Sequence, residues 1–132
     1  MAHWGLAMNA PMAVPILVVD DYGTMVRIVR GLLSQLGFQH VDAAADGEAA
    51  LAKLRERRYG LVISDAGICG GESRGLLRAL RADAALCETP VLMMTQGEGN
   101  ESEDAPSAAF LPRPFNLAML RERMKLLLHM EL

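Results

Sequence analysis

Four apolar runs in this chain end in groups that can do chemistry. Asp20-Asp21 closes Ile16-Leu17-Val18-Val19, and Asp65 closes Leu61-Val62-Ile63-Ser64. Thr95 closes Val91-Leu92-Met93-Met94, and Arg113 stands just past Phe110-Leu111. Carboxylates held together repel unless a cation lies among them. Oxygen-only ligands of this kind suit magnesium, which keeps several waters and takes one or two carboxylates plus a phosphate oxygen. A hydroxyl and a guanidinium on the other side would receive a phosphoryl group. The chemistry implied is phosphoryl transfer to an aspartate, giving an acyl phosphate. Asp65 alone also reads as a turn-starting carboxylate that caps the next segment. The other strand ends favour the chemical reading.

These groups meet only if the runs that carry them are parallel strands of one sheet. An unbroken apolar run closed by turn residues fits a strand buried on both faces. In open parallel sheets, ligands bind outside the carboxyl ends of the strands. Between the runs the period changes. Tyr22 to Leu36 carries Val26, Val29, Leu33 and Leu36 at helical spacing, and Gly37 stops it. Val41 to Ala44 is a short second strand, and Asp46 caps a helix over Glu48 to Arg58. Glu72 to Arg81 is a third helix with Leu76, Leu77 and Leu80 as its apolar stripe. The last helix is expected over Phe115 to Met130, after a brief fifth strand at Phe110-Leu111. Strand and helix alternate, so an α/β fold with a parallel sheet and right-handed crossovers on both faces is expected. Gln96 to Ala109 breaks the alternation. It holds Gly97, Gly99, Asn100 and Pro106 among Glu98, Glu101, Glu103 and Asp104, with no apolar stripe. It reads as a mobile acidic loop with at most one helical turn.

Composition limits the remaining classes. A chain of 132 residues, 52% hydrophobic and 22% charged, suits one domain with its own core. A net charge of -3 argues against direct DNA binding, which needs a basic face. Cys69 and Cys87 have no metal or secreted-framework spacing, which points to free thiols in a reducing cytoplasm. Residues 1–13 read as a flexible tail and 14–132 as the domain. The tail has no basic start and is interrupted at Pro11, so neither a membrane span nor a signal peptide is expected. His3, His40 and His129 are scattered and form no catalytic group.

The chain resembles a CheY-like receiver domain of two-component response regulators from about Val14 to Met130. The resemblance rests on Ile16-Leu17-Val18-Val19-Asp20-Asp21, Ala45-Asp46-Gly47-Glu48-Ala49-Ala50-Leu51, Leu61-Val62-Ile63-Ser64-Asp65, Pro90-Val91-Leu92-Met93-Met94-Thr95 and Pro112-Arg113-Pro114-Phe115. Each is weak alone; in this order and spacing they are specific. The resemblance implies a flavodoxin-like, doubly wound five-stranded sheet of order 2-1-3-4-5, here with the fourth helix short or disordered. It implies that Asp65 takes a phosphoryl group from a phosphohistidine on a sensor histidine kinase or phosphotransfer protein. Asp21 would bind magnesium directly, Asp20 through water, and the Gly67 carbonyl would be a further ligand. Thr95 would bond the phosphoryl oxygen, and Phe110 holds the aromatic switch position.

The chain departs from the family pattern in several places. Arg113 stands where the family has a lysine; it keeps the charge, but on a longer, planar group. It could pair with the phosphoryl group, or with Asp65 and hold the site closed. Gly67 replaces a frequent asparagine and Cys69 a common proline, which frees the loop after Asp65. The segment between Thr95 and Arg113 is shorter than usual and lacks its helix, a part of the family's usual output face.

All but two of the 13 basic residues, Lys53 and Lys125, are arginine. Arg74, Arg78 and Arg81 fall at i, i+4 and i+7, on one face of the third helix. One reading is a solvated face paired with Glu72 and Asp83. The other is a fork for a phosphate-bearing ligand, since some CheY-like receivers bind cyclic di-GMP through arginine-rich patches.

Two functions are compatible with these features, beside a pseudo-receiver that acts only as a fixed scaffold. One is a stand-alone, non-enzymatic response regulator that phosphorylates and dephosphorylates itself and signals to a flagellar switch component or a kinase in chemotaxis or cell-cycle control. The other is a binding module that senses cyclic di-GMP and docks on such a partner.

Overall fold

The computed structural model describes residues 13–66, 73–96 and 108–132. The elements in chain order are β1 (Ile16–Val19), α1 (Gly23–Gln35), β2 (Val41–Ala44), α2 (Gly47–Glu56), β3 (Leu61–Asp65), α3 (Ser73–Ala82), β4 (Val91–Gln96), β5 (Ala108–Arg113) and α4 (Leu117–Leu128). The strands form one parallel sheet in the order β2-β1-β3-β4-β5. This is the flavodoxin-like arrangement expected from the alternation and the resemblance.

Side-chain parity divides the core into two layers, because successive residues of a strand point to opposite faces. Leu17 and Val19 of β1, Val62 of β3, and Val91 and Met93 of β4 face α2 and α3, where Ala50, Leu54, Leu76, Leu77 and Leu80 meet them. Ile16 and Val18, Leu61 and Ile63, and Leu92 and Met94 face the opposite way, onto Val29 and Leu33 of α1 and Leu120 and Met124 of α4. This double burial is why these runs are apolar throughout instead of alternating.

Element ends are set by single residues. Gly37 adopts φ 100° just after α1, and the Phe38 amide donates to the Leu33 carbonyl at 2.9 Å. That left-handed position is open to glycine without penalty. Asp46 caps α2 by accepting from the Ala49 amide at 2.8 Å, and Asn116 caps α4 by accepting from the Met119 amide at 2.9 Å.

Some bounds differ from the sequence reading. Helix α2 ends at Glu56, not Arg58, because Arg57 is extended and its guanidinium reaches Asp42 on β2 at 3.2 Å. Helix α4 is shorter than Phe115 to Met130: Asn116 is its cap, and His129 leaves it at φ 53°. Strand β5 is longer than Phe110-Leu111 and continues through Pro112 to Arg113. A proline is tolerated there because β5 is an edge strand. The expected tail lies, up to residue 12, outside the described residues. Of the expected Gln96 to Ala109 loop, residues 97–107 also lie outside them, whereas Gln96 ends β4 and Ala108 and Ala109 open β5. Among the described residues, no helix is long and apolar enough to cross a membrane.

The buried Tyr59 hydroxyl donates to Asp42 Oδ2 at 2.5 Å, on the same oxygen that takes Arg57. Burial first, then that hydrogen bond and the Asp42 charge, push the Tyr59 pKa up to about 12 against the opposing Arg57 charge.

Removing either capping side chain, by Asp46→Ala or Asn116→Ala, is expected to lower stability by about 1 kcal/mol in urea unfolding. Leu120→Ala, in the core under α4, should cost about 2–5 kcal/mol. Tyr59 keeps its proton longer in the folded chain than in the unfolded one. Its contribution is therefore complete below about pH 10, the ordinary tyrosine value, and is lost as pH rises toward about 12. Tyrosinate absorbance should show a step near pH 12 that moves down, though not fully, in Asp42→Asn.

Candidate functional site

The expected site lies along the carboxyl edge of the sheet. Asp20 is the first residue after β1, held by its amide on the Ala44 carbonyl at 3.0 Å. Its Oδ1 accepts from the Tyr22 amide at 2.9 Å, which fixes the carboxylate over the entry to α1. Its Oδ2 is buried and accepts no hydrogen bond. Asp65 ends β3, the strand beside β1, and the Ala66 amide continues the ladder onto the Met94 carbonyl at 2.8 Å.

Two strands away from β3, β5 supplies Arg113. Register pairs Asp65 with Met94, Thr95 with Pro112 and Gln96 with Arg113, so the arginine emerges just beyond the level of Asp65. Its Nη2 bonds Asp65 Oδ1 directly and lies 4.0 Å from Asp20 Oδ2. One guanidinium nitrogen thus stands against both carboxylates, whose side chains are 15% exposed at Asp65 and 2% at Asp20, so water screens the pair less than it would at the open surface. The peptide after Arg113 is cis.

Thr95 is buried beside this group on β4, and its hydroxyl has no hydrogen-bond partner. Buried hydroxyls are normally satisfied, so one aimed at nothing beside charged groups marks a place for a ligand oxygen. Phe110 is half-buried against the layer under α2 and α3. Its carbonyl accepts from Arg123 Nε at 2.9 Å, which ties β5 to α4. Asp21 is exposed. Gly67, the other expected metal ligand, and Cys69 lie outside the described residues.

Magnesium was expected among Asp20, Asp21, Asp65 and Gly67. Among the described residues, no three acidic, histidine or cysteine side chains are grouped as a finished cage. The donor chemistry nevertheless fits. Asp20 Oδ2 is a buried anionic oxygen without a donor, and the adjoining carboxylate is neutralised from one side by Arg113. Magnesium needs only one or two carboxylates and completes its shell with water.

The expected arginine face of α3 is described at two of its three residues, Arg78 and Arg81. Arg78 is exposed, but Arg81 is half-buried and its Nη1 donates to the carbonyls of Cys87 at 3.1 Å and Thr89 at 2.9 Å. Burial lowers the pKa of its guanidinium. Arg81 therefore braces the connection into β4, because the chain folds back under the helix end. Helical spacing cannot register such a return. The side chain of Arg74 lies outside the described residues. The cyclic di-GMP reading gains no support from this arrangement. Sequence reasoning also missed the Arg123 bond to Phe110 and the Asp42–Tyr59–Arg57 cluster. Neither leaves a signal in spacing, since both join residues of different elements.

Comparison with known proteins agrees with this geometry. The model of the response regulator receiver domain matches residues 16–125. The chain is 37% identical over 113 residues to chemotaxis protein CheY-3 of Vibrio cholerae, covering 83% of this chain and 87% of that protein. It is 36% identical over 114 residues to chemotaxis protein CheY of Pseudomonas aeruginosa, covering 83% and 92%. Among solved structures, the chemotaxis response regulator CheY4 of Vibrio cholerae superposes with a TM-score of 0.76 at 28% identity, over 86% of this chain and 98% of that one. A response regulator from Chloroflexus aurantiacus gives 0.78 at 26% identity, over 88% and 98%. With strand order, edge chemistry and matched length in agreement, the chain belongs to the family of response regulator receiver domains.

Proposed function

We propose that this receiver domain accepts a phosphoryl group on Asp65 from a phosphohistidine of a sensor histidine kinase or phosphotransfer protein. The observation that carries the reading is the placement of Asp65 at the end of a central strand, facing Asp20 and Arg113 with the unbonded Thr95 hydroxyl alongside. In the transfer, a carboxylate oxygen of Asp65 forms a bond to phosphorus. The phosphorus–nitrogen bond breaks, and the imidazole keeps the electron pair and takes up a proton. Arg113 turns from the carboxylate to the phosphoryl oxygens, which match its planar fork. The Thr95 hydroxyl donates to one of those oxygens. Asp20, Asp21 and Asp65 would hold magnesium, which would supply positive charge to the transferring group.

The catalysis is confined to the chain's own Asp65: self-phosphorylation and slow loss of the acyl phosphate, with no separate substrate. Output passes through contact with another protein. Chemotaxis is the favoured setting because the similar proteins of Vibrio cholerae and Pseudomonas aeruginosa are chemotaxis proteins. The downstream partner is then a component of the flagellar switch or a kinase, in the cytoplasm, without direct DNA contact. The shift in Thr95 on phosphorylation reaches Phe110 across the β4–β5 pair, and Arg123 relays it to α4.

Incubation with acetyl phosphate and magnesium should add one phosphoryl mass to the intact chain, and Asp65→Asn should add none. Thr95→Ala, which loses one hydroxyl donor, should still be modified, but on the order of tenfold to a hundredfold more slowly. An unmodified wild-type chain, or an Asp65→Asn chain modified as fully as the wild type, would remove the reading.

A further inference from the structure

Among the described residues, the large apolar side chains that stand exposed are Tyr22, Ile28 and Leu126, and Tyr22 is 61% exposed. Single exposed apolar residues are ordinary, and Ile28 and Leu126 lie on the outer sides of α1 and α4. Tyr22 is placed differently. It follows the acidic pair directly and precedes the first residue of α1. Its amide donates to Asp20 Oδ1 at 2.9 Å, and its carbonyl accepts from the Val26 amide at 3.2 Å. The backbone is thus pinned on both sides, while the ring belongs to neither packed layer. The other oxygen of that same carboxylate lies 4.0 Å from Arg113 Nη2, which bonds Asp65. One carboxylate and one guanidinium nitrogen therefore separate the Tyr22 backbone from the acceptor oxygen. An aromatic ring anchored so close to the site and left in water is available to a partner with a flat face.

We infer that Tyr22 is a specificity-determining residue: its ring receives the imidazole of the phosphoryl donor and so favours a phosphohistidine over donors with other leaving groups. This inference rests on the phosphoacceptor reading of Asp65. In the transfer an Asp65 oxygen bonds to phosphorus, the phosphorus–nitrogen bond breaks, and its electron pair stays on the ring nitrogen. The other ring nitrogen takes up a proton from water before the bond breaks, so the ring leaves as neutral imidazole. Until it leaves, the protonated ring carries positive charge, and the face of a tyrosine attracts a flat cation. Offset stacking adds contact between the two planar groups. Neither attraction is open to a donor that sheds ammonia or acetate. Tyrosine suits the task because only two side-chain torsions have to be fixed when its ring takes a partner.

The test compares labelling of the intact chain by two donors with the same kind of bond, monophosphoimidazole and phosphoramidate, in magnesium. Mass spectrometry follows each rate in the wild type, Tyr22→Phe and Tyr22→Leu, with circular dichroism as the check of folding. The ring is exposed, so neither substitution removes a core contact. The ratio of the first rate to the second cancels any general loss at Asp65. Tyr22→Leu, which keeps apolar bulk without a π face, should lower that ratio on the order of threefold to tenfold. Tyr22→Phe should hold it within about twofold of the wild type. A leucine variant with the wild-type ratio overturns the inference, even if both rates fall together, because the residue would then only shape the start of α1. A phenylalanine variant as low as leucine overturns it too, since the hydroxyl and not the ring would then be recognised. Acetyl phosphate labelling of the wild type separates the two readings. If that labelling succeeds while the three ratios agree, only the role of Tyr22 is wrong. If no donor labels the wild type, the phosphoacceptor reading falls and this inference falls with it.

Discussion

Two carboxylates, Asp20 buried and Asp65 half-buried, meet at one edge of a parallel sheet and must be neutralised, and this requirement organises the rest of the site. Asp20 and Asp65 close neighbouring strands, so the ladder itself sets them side by side. Unneutralised, they would be mutually repulsive and poorly solvated. The structure meets the requirement with Arg113, borrowed from β5 across the intervening strand β4. A charge brought by a side chain can be moved, whereas one built into the backbone cannot. That mobility is what makes such an edge suitable for accepting an anionic group.

The sheet supplies the rigidity that the exchange needs. Strands β1, β3 and β4 are packed from both faces, by α2 and α3 on one side and α1 and α4 on the other. None of their apolar side chains has room to shift without disturbing a layer. At the carboxyl edge, Asp20, Thr95 and Arg113 hold buried polar atoms left without a hydrogen bond. Order in the sheet and unmet polarity at its rim are two sides of one design. The layers fix where the functional groups stand, and the rim leaves them able to bond a newcomer.

The connections matter as much as the strands. Arg81 braces the segment that leads into β4 through the carbonyls of Cys87 and Thr89, and Arg123 grips the carbonyl of Phe110 on β5. One arginine thus steadies the strand that carries Thr95, and the other steadies its neighbour. In a chain whose basic residues are nearly all arginine, some are accounted for as backbone ties and one as the partner of two carboxylates. A guanidinium suits either use because its donors point in fixed directions and reach several acceptors at once.

Periodicity was enough to read the strands, the order of helices and the gathering of Asp20, Asp65, Thr95 and Arg113 at one edge, because burial on two faces writes long apolar runs and the carboxyl ends of parallel strands coincide. Caps such as Asp46 and the stop at Gly37 were legible for the same local reason: their partners lie within a few residues. Helix ends at Arg57 and His129 were not, since each is decided by where the chain must turn next. Nor could spacing reveal that Arg81 leaves its helical face for carbonyls beyond the helix end, or that Arg113 reaches past Asp65 toward Asp20. Local sequence determined which groups arrive at the rim. Only the folded chain decided which of them touch, because contact between distant residues depends on strand register, burial and the competition among partners for the same charge.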